Sequence, residues 1–114
     1  MIGFRVPDRG DVYWFTPDEV AGKEMKGHHA YLVLSPKSLN QYGISVTVAI
    51  TTGGAGPRES GVTVPLTGTK TGGVVVCHQI RSLDLQARGA EYSETLDKGT
   101  VQLVADTIAS IIGA

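Results

Sequence analysis

Three histidines, His28, His29 and His78, are the side chains in this chain best suited to passing protons near neutral pH. All three fall between Ala21 and Arg81, together with Lys23, Lys26, Lys37, Arg58, Lys70 and Arg81. The only acids in that span are Glu24 and Glu59, so it carries +4, whereas the flanks hold 4 basic and 9 acidic residues, or −5. The net charge of −1 argues against a strongly basic nucleic-acid binder but conceals this segregation. A positive, histidine-rich segment suits an anionic ligand, and a chance fluctuation of solvated charges is the plain alternative. Glu24 and Thr51 add a carboxylate and a hydroxyl to the same span. Each also has an ordinary reading: a histidine in a loop can be solvated, Thr51 can cap a turn, and Glu24 between Lys23 and Lys26 can be a surface charge cluster. His28, His29, Cys77 and His78 lack the C-x2-C or H-x3-H spacing of a zinc site, so no metal and no cofactor is expected.

The elements that must hold these residues are legible in outline. A chain of 114 residues has room for one core, so residues 1–114 are read as a single domain. With 41% apolar and 18% charged residues the composition is globular rather than disordered. Met1–Asp11 has no apolar run and carries Arg5, Asp8, Arg9 and Asp11, unlike a signal peptide. No stretch approaches the about 18 apolar residues of a membrane span. A lone cysteine, Cys77, suits a reducing compartment, so a cytoplasmic location is expected. It sits in a valine-rich run as a buried apolar side chain.

Residues 11–15 (DVYWF), 30–34, 45–50, 62–66 and 73–80 are rich in β-branched and aromatic residues and read as strands. Residues 37–41 suit one helical turn. Val101, Val104, Ile108, Ile111 and Ile112 recur at helical spacing, with Asp97 placed to cap the start and Gly113 the end. The expected class is mainly β with a C-terminal α-helix (α+β), a small strongly bent sheet or barrel. Tyr13 and Trp14 are expected in the core. Two loops, residues 16–28 and 51–60, are long for so small a domain, and loops of that kind are often functional. The first carries Lys23, Glu24, Lys26 and His28, the second Thr51, Thr52 and Arg58 among glycines.

The ordered fragments PDRGDVYWF, GKEMKGHHAYLVLSP, VAITTGG, SGVTVPL and TGGVVVCHQIRSLDLQARG resemble the MazF/PemK (Kid) toxins of type II toxin–antitoxin systems. The resemblance runs from about Pro7 to the terminal helix. It implies an SH3-like or CcdB-like barrel that forms a homodimer. The implied activity is metal-independent, sequence-selective cleavage of single-stranded mRNA. The implied partner is a cognate MazE/PemI-like antitoxin whose acidic tail covers the RNA groove. Residues 36–40 and the terminal helix are the implied dimer contacts.

Carried over residue by residue, Glu24 matches the family's acidic loop position and Thr51 its threonine or serine, while Gln79, Arg81 and Asp84 match its Q-x-R-S-x-D run. The chain departs at His29-Ala30, where the family has Arg-Pro, at Lys23, where the Kid branch has histidine, and at Val76 and His78, where that branch has Arg and Asp. Metal-free RNA cleavage needs a base for the 2′-OH, a donor at the phosphorane and an acid for the leaving 5′-oxygen. His29 and Thr51 are assigned to the phosphate, with Glu24 or His28 assisting proton transfer and His78 as a further catalytic candidate. Lys23, Arg58, Thr52, Gln79 and Arg81 are assigned to RNA binding. Two neighbouring histidines at the start of a strand point to opposite faces, so only one lines the groove. Arg81 and Asp84 are also spaced to pair and lock the turn after their strand. The missing arginine leaves two alternatives: a CcdB-like DNA gyrase poison, and a catalytically weakened antitoxin-binding relative.

Overall fold

The computed structural model describes residues 4–16, 21–22, 27–52 and 62–114. Its strands are β1 (Asp11–Phe15), β2 (His29–Val33), β3 (Ser45–Thr51), β4 (Thr63–Pro65), β5 (Val74–Leu83) and β6 (Glu91–Thr95), with helices α1 (Lys37–Asn40) and α2 (Lys98–Ile112). They form one antiparallel sheet in the order β4-β5-β3-β2-β1-β6.

Alternation gives the sheet two apolar faces. On one, Val12, Ala30, Leu32, Val48, Ile50, Val75 and Cys77 pack under Val101, Val104 and Ile108 of α2, with Trp14 partly buried against them. On the other, Tyr13, Phe15, Tyr31, Val33 and Ala49 pack with Leu83, Leu85, Ala90 and Phe4. A sheet covered on both sides explains why 30–33 reads as an unbroken apolar run. Burial pushes the Cys77 thiol up to about 11, as befits an apolar core residue.

Asp97 caps α2 as its position suggests, accepting from the Thr100 N–H at 2.9 Å, and Gly113 ends the helix in the left-handed region at φ 76°. The apolar stripe meets the core only as far as Ile108. Ile111 and Ile112, in its last turn, are 38% and 67% exposed.

The sheet differs from the sequence expectation in three ways. β5 continues to Leu83, since Arg81–Leu83 go on pairing with Ser45–Thr47. A sixth strand, EYSET, pairs with β1. It is a polar edge strand with no buried residue, so it lacks the hydrophobic alternation by which strands are recognised. The third concerns how the expected bent sheet or barrel closes: among the described residues β4 and β6 are the sheet edges and no backbone ladder joins them. A side chain spans them instead. The Glu94 carboxylate of β6 accepts the Lys70 N–H at 3.0 Å and the Thr71 N–H, both in the turn between β4 and β5. Burial raises this carboxyl, and its bonds to Thr71 and Lys70 outweigh that and hold it below the ordinary carboxylate value.

Candidate active site

His29 opens β2 and Thr51 closes β3. The register pairs Phe15 with His29 and Ala30 with Ile50. One further antiparallel step sets His29 opposite Thr51, which itself pairs with Val74. Phe15, His29 and Thr51 therefore form a row across three strands at one end of the sheet. Directly opposed residues share a face, and this is the face of Tyr31 and Ala49, away from α2. Thr47 and Arg81, paired on β3 and β5, lie on the same face.

Aromatic rings floor this region. Phe15 stacks on Tyr31 with centroids 4.6 Å apart. The Arg88 guanidinium lies 5.7 Å from the Phe15 ring centroid. Burial raises the Tyr31 hydroxyl above its ordinary value, and the cations Arg81 and Arg88 pull part of that back. The face thus carries two guanidinium groups, an imidazole and a hydroxyl above a buried apolar floor. Such a surface can hold a phosphate by charge and hydrogen bonds while the imidazole exchanges a proton. The Nδ1 atom of His29 is buried without a hydrogen-bond partner among the described residues.

The geometry of Thr51 depends on one glycine. Gly73, at φ +98°, lies so close to the end of β3 that a Cβ built there would stand 1.9 Å from the Thr51 carbonyl oxygen. Only a residue without a Cβ permits this contact.

Between Val48↔Ile80 and Ile50↔Val75 the β3–β5 register shifts, so Val76–Gln79 face Ala49 alone. Cys77 and Ile80 keep to the helix side, three residues apart. Alternation therefore breaks at His78 and Gln79, which are turned out of that face, His78 exposed and Gln79 half-buried. Thr52 is exposed just beyond β3. Glu24, Lys23 and Arg58 lie outside the described residues.

His28 falls elsewhere. Its ring stacks on Trp14, centroids 5.4 Å apart and planes inclined 26°, and its Nδ1 is 3.2 Å from the Thr16 hydroxyl. Trp14 belongs to the α2 side of the sheet, so the two histidines are split between its faces.

The proposed Arg81–Asp84 pair is replaced by two separate contacts. Asp84 accepts the Ala87 N–H at 3.0 Å and so braces its own turn, whereas Arg81 stands by Tyr31. Among the described residues no three His, Cys, Asp or Glu side chains converge as a metal site would require. Sequence reasoning missed Phe15, Tyr31, Gly73 and Arg88. The first two look like ordinary strand core, and the roles of the others appear only when distant segments meet.

The family model described as "PemK-like, MazF-like toxin of type II toxin-antitoxin system" matches residues 8–112. The chain belongs to the PemK/MazF toxin family. Endoribonuclease toxin MazF of Escherichia coli K12 is 36% identical over 115 residues, which span 99% of this chain and 100% of the relative. Endoribonuclease PemK of Escherichia coli is 32% identical over 108 residues, 92% of this chain and 81% of that one. Among solved structures, MazF of Deinococcus radiodurans superposes with a TM-score of 0.85 at 27% identity, covering 97% of this chain and 100% of its own. A chain of the MazE–MazF structure from the same organism gives 0.80 at 28% identity, covering 96% and 98%. In this PemK/MazF chain the sheet places the histidine at position 29 beside Thr51.

Proposed function

We propose that this PemK/MazF chain is the toxin of a type II toxin–antitoxin pair and an endoribonuclease acting on single-stranded RNA. The supporting observation is the row Phe15–His29–Thr51, with Arg81 on the same face, in a chain aligned end to end with endoribonuclease toxins. RNA lies across this face with a phosphate at His29 and Thr51. The 2′-oxygen attacks its own phosphorus as the 2′-OH gives up its proton. The 5′-oxygen leaves and takes a proton, yielding a cyclic phosphate and a 5′-OH. His29 is the proton-handling group nearest the phosphate, Glu24 its partner carboxylate, and Thr51 donates to the non-bridging oxygen. Arg81, with Gln79, Thr52, Lys23 and Arg58, holds the flanking chain, and His78 lies next to Gln79. No metal takes part in these steps. The toxin works as a homodimer in the cytoplasm, and a MazE/PemI-like antitoxin occludes the same face. None of the helices is long and apolar enough to cross a membrane among the described residues.

Purified protein is expected to cut a long single-stranded RNA in EDTA and leave 5′-OH ends. His29→Ala should slow cleavage by about 10²-fold or more, the scale of general acid–base catalysis, with Thr51→Ala clearly impaired as well. Wild-type rates in both variants would sink the site, and a requirement for Mg²⁺ would sink the mechanism. Inert RNA together with gyrase inhibition would favour the gyrase-poison alternative. Inert RNA with antitoxin binding retained would favour a non-catalytic relative.

A further inference from the structure

We propose that His28 is a positioning residue: through Trp14 and Thr16 it pins the start of β2 and so presents His29 to the Thr51 face. This rests on the ribonuclease reading above and deepens it by separating the roles of two adjacent histidines.

The case begins with register. Trp14 pairs with Ala30 and Phe15 with His29, so the next step brings Thr16 opposite His28. The 3.2 Å contact between Thr16 Oγ1 and His28 Nδ1 lies at that step. It falls one residue beyond the last backbone pair, where strands ordinarily fray. The imidazole also lies flat on Trp14, which is anchored in the α2-side core. The π face and one ring nitrogen of His28 are thus engaged on the side of the sheet away from Thr51.

His29 is the first residue of β2 and has only one backbone pair with β1 beyond Trp14↔Ala30. Its side chain faces Thr51 only while the register holds, because a slip of one residue exchanges the two faces and would present His28 instead. The Trp14–His28–Thr16 cluster opposes that slip from the far side of the sheet. It also ties together the two ends of the span that joins β1 to β2.

The test uses the full chain and two substitutions. His28→Phe keeps a flat ring for Trp14 but cannot carry a proton; His28→Ala removes the ring. Cleavage of single-stranded RNA is followed across pH with kcat and KM separated. His28→Phe is expected to stay within about fivefold of wild type and to keep the wild-type pH profile, as for a residue that moves no proton. His28→Ala is expected to lose about 10²-fold in kcat, the cost of a misplaced group, with KM little changed.

Two readouts do not depend on activity. Trp14 is the only tryptophan, so its emission should change in His28→Ala and stay unchanged in His29→Ala. Amide hydrogen exchange at Phe15 and His29, the last pair of the β1–β2 ladder, should be faster in His28→Ala than in wild type or His28→Phe.

A natively folded His28→Phe that loses about 10²-fold together with one limb of the pH profile would make His28 a proton carrier and overturn the proposal. Unchanged emission and unchanged hydrogen exchange in His28→Ala would overturn it as well. If wild type cuts no RNA, the ribonuclease reading falls, and the emission and exchange results still decide whether His28 pins the strand.

Discussion

Asp11 is a strand residue only 1% exposed, yet it is an acid. It is tolerated because every side of its carboxylate is occupied. The Asp8 N–H donates at 3.0 Å, the Thr95 hydroxyl at 2.7 Å, and Arg5 through Nε and Nη2 at 3.3 Å. Through these bonds it joins the N-terminal segment to β6, and Arg5 adds a cation–π contact 4.2 Å above Tyr92. The two members of the ion pair are not equivalent. Asp11→Ala removes the one carboxylate that the Asp8 N–H, the Thr95 hydroxyl and Arg5 share, and should cost about 2–3 kcal/mol. Arg5→Ala should cost less than about 1 kcal/mol, because the Arg5 side chain is 52% exposed and its loss lets water reach one side only. Urea denaturation of the two variants checks the order, and equal losses would contradict it. At the same scale, the identities of His28 and His29 were legible in the sequence, as was their division between opposite faces. Which of the two would share a face with Thr51 and Arg81 was not, because that depends on what the neighbouring strands bring.

At the scale of elements, local pattern and final structure agree wherever burial is one-sided or capping is local. α2 follows from its apolar spacing and the Asp97 cap, and β1 and β3 from their β-branched and aromatic residues. β6 and the β5 register shift were not legible: one is a polar edge strand, and the other arises from the mismatch of two strands distant in sequence. The contact of Gly73 with Thr51 also joins elements, binding the turn before β5 to the end of β3. Gly73→Ala meets both a positive φ and a backbone clash, so the end of β3 must move. A stability loss of at least about 2 kcal/mol is expected, with RNA cleavage falling as far as in Thr51→Ala or further. A thermal melt and the cleavage assay read this together. A Gly73→Ala protein with wild-type melting and activity would show that Thr51 is not held by this contact.

Over the whole molecule, ionisation limits stability at both ends of the pH scale. Bonds from the Lys37 and Arg9 backbone hold Asp8 below 3.8, those from Thr100 hold Asp97 below 3.8, and Glu94 lies below 4.5. Below pH about 4.5 the unfolded chain therefore binds more protons than the folded one. The contribution of these groups is complete above their unfolded values and disappears as pH falls through the depressed folded ones. On the alkaline side, burial raises Cys77 from 9.0 to about 11 and Tyr13 from 10.0 to about 12. There the folded chain keeps protons that the unfolded chain gives up, so stability falls as pH rises above about 9. The melting temperature is expected to be level near neutrality and to drop on both sides, with a shallower acid limb in Glu94→Gln. An acid limb as steep in that variant as in wild type would remove Glu94 from the account.

The surface also bears on assembly. Leu39, Tyr42 and Ile44 at the α1 turn are 51%, 81% and 50% exposed, and Leu103 and Ile112 of α2 are 54% and 67% exposed. Leu39 and α2 fall in the two regions assigned to the proposed homodimer, residues 36–40 and the terminal helix, and Tyr42 and Ile44 extend the first. Tyr42→Asp combined with Leu103→Asp should leave the circular dichroism spectrum native while light scattering reports a monomer. A dimer that survives both substitutions would place its interface elsewhere.

The sequence by itself determined the family, most of the strands, the capped terminal helix and the segregation of positive charge around the histidines. Those features are carried by residue identity, by spacing within one element, or by order along the chain. The tertiary structure alone decided that Phe15, His29 and Thr51 form one row, that Arg81 and Arg88 stand over its aromatic floor, and that His28 lies behind the sheet on Trp14. The physical reason is register: side chains alternate with a period of two, so the pairing of strands far apart in the chain determines which residues meet on a face.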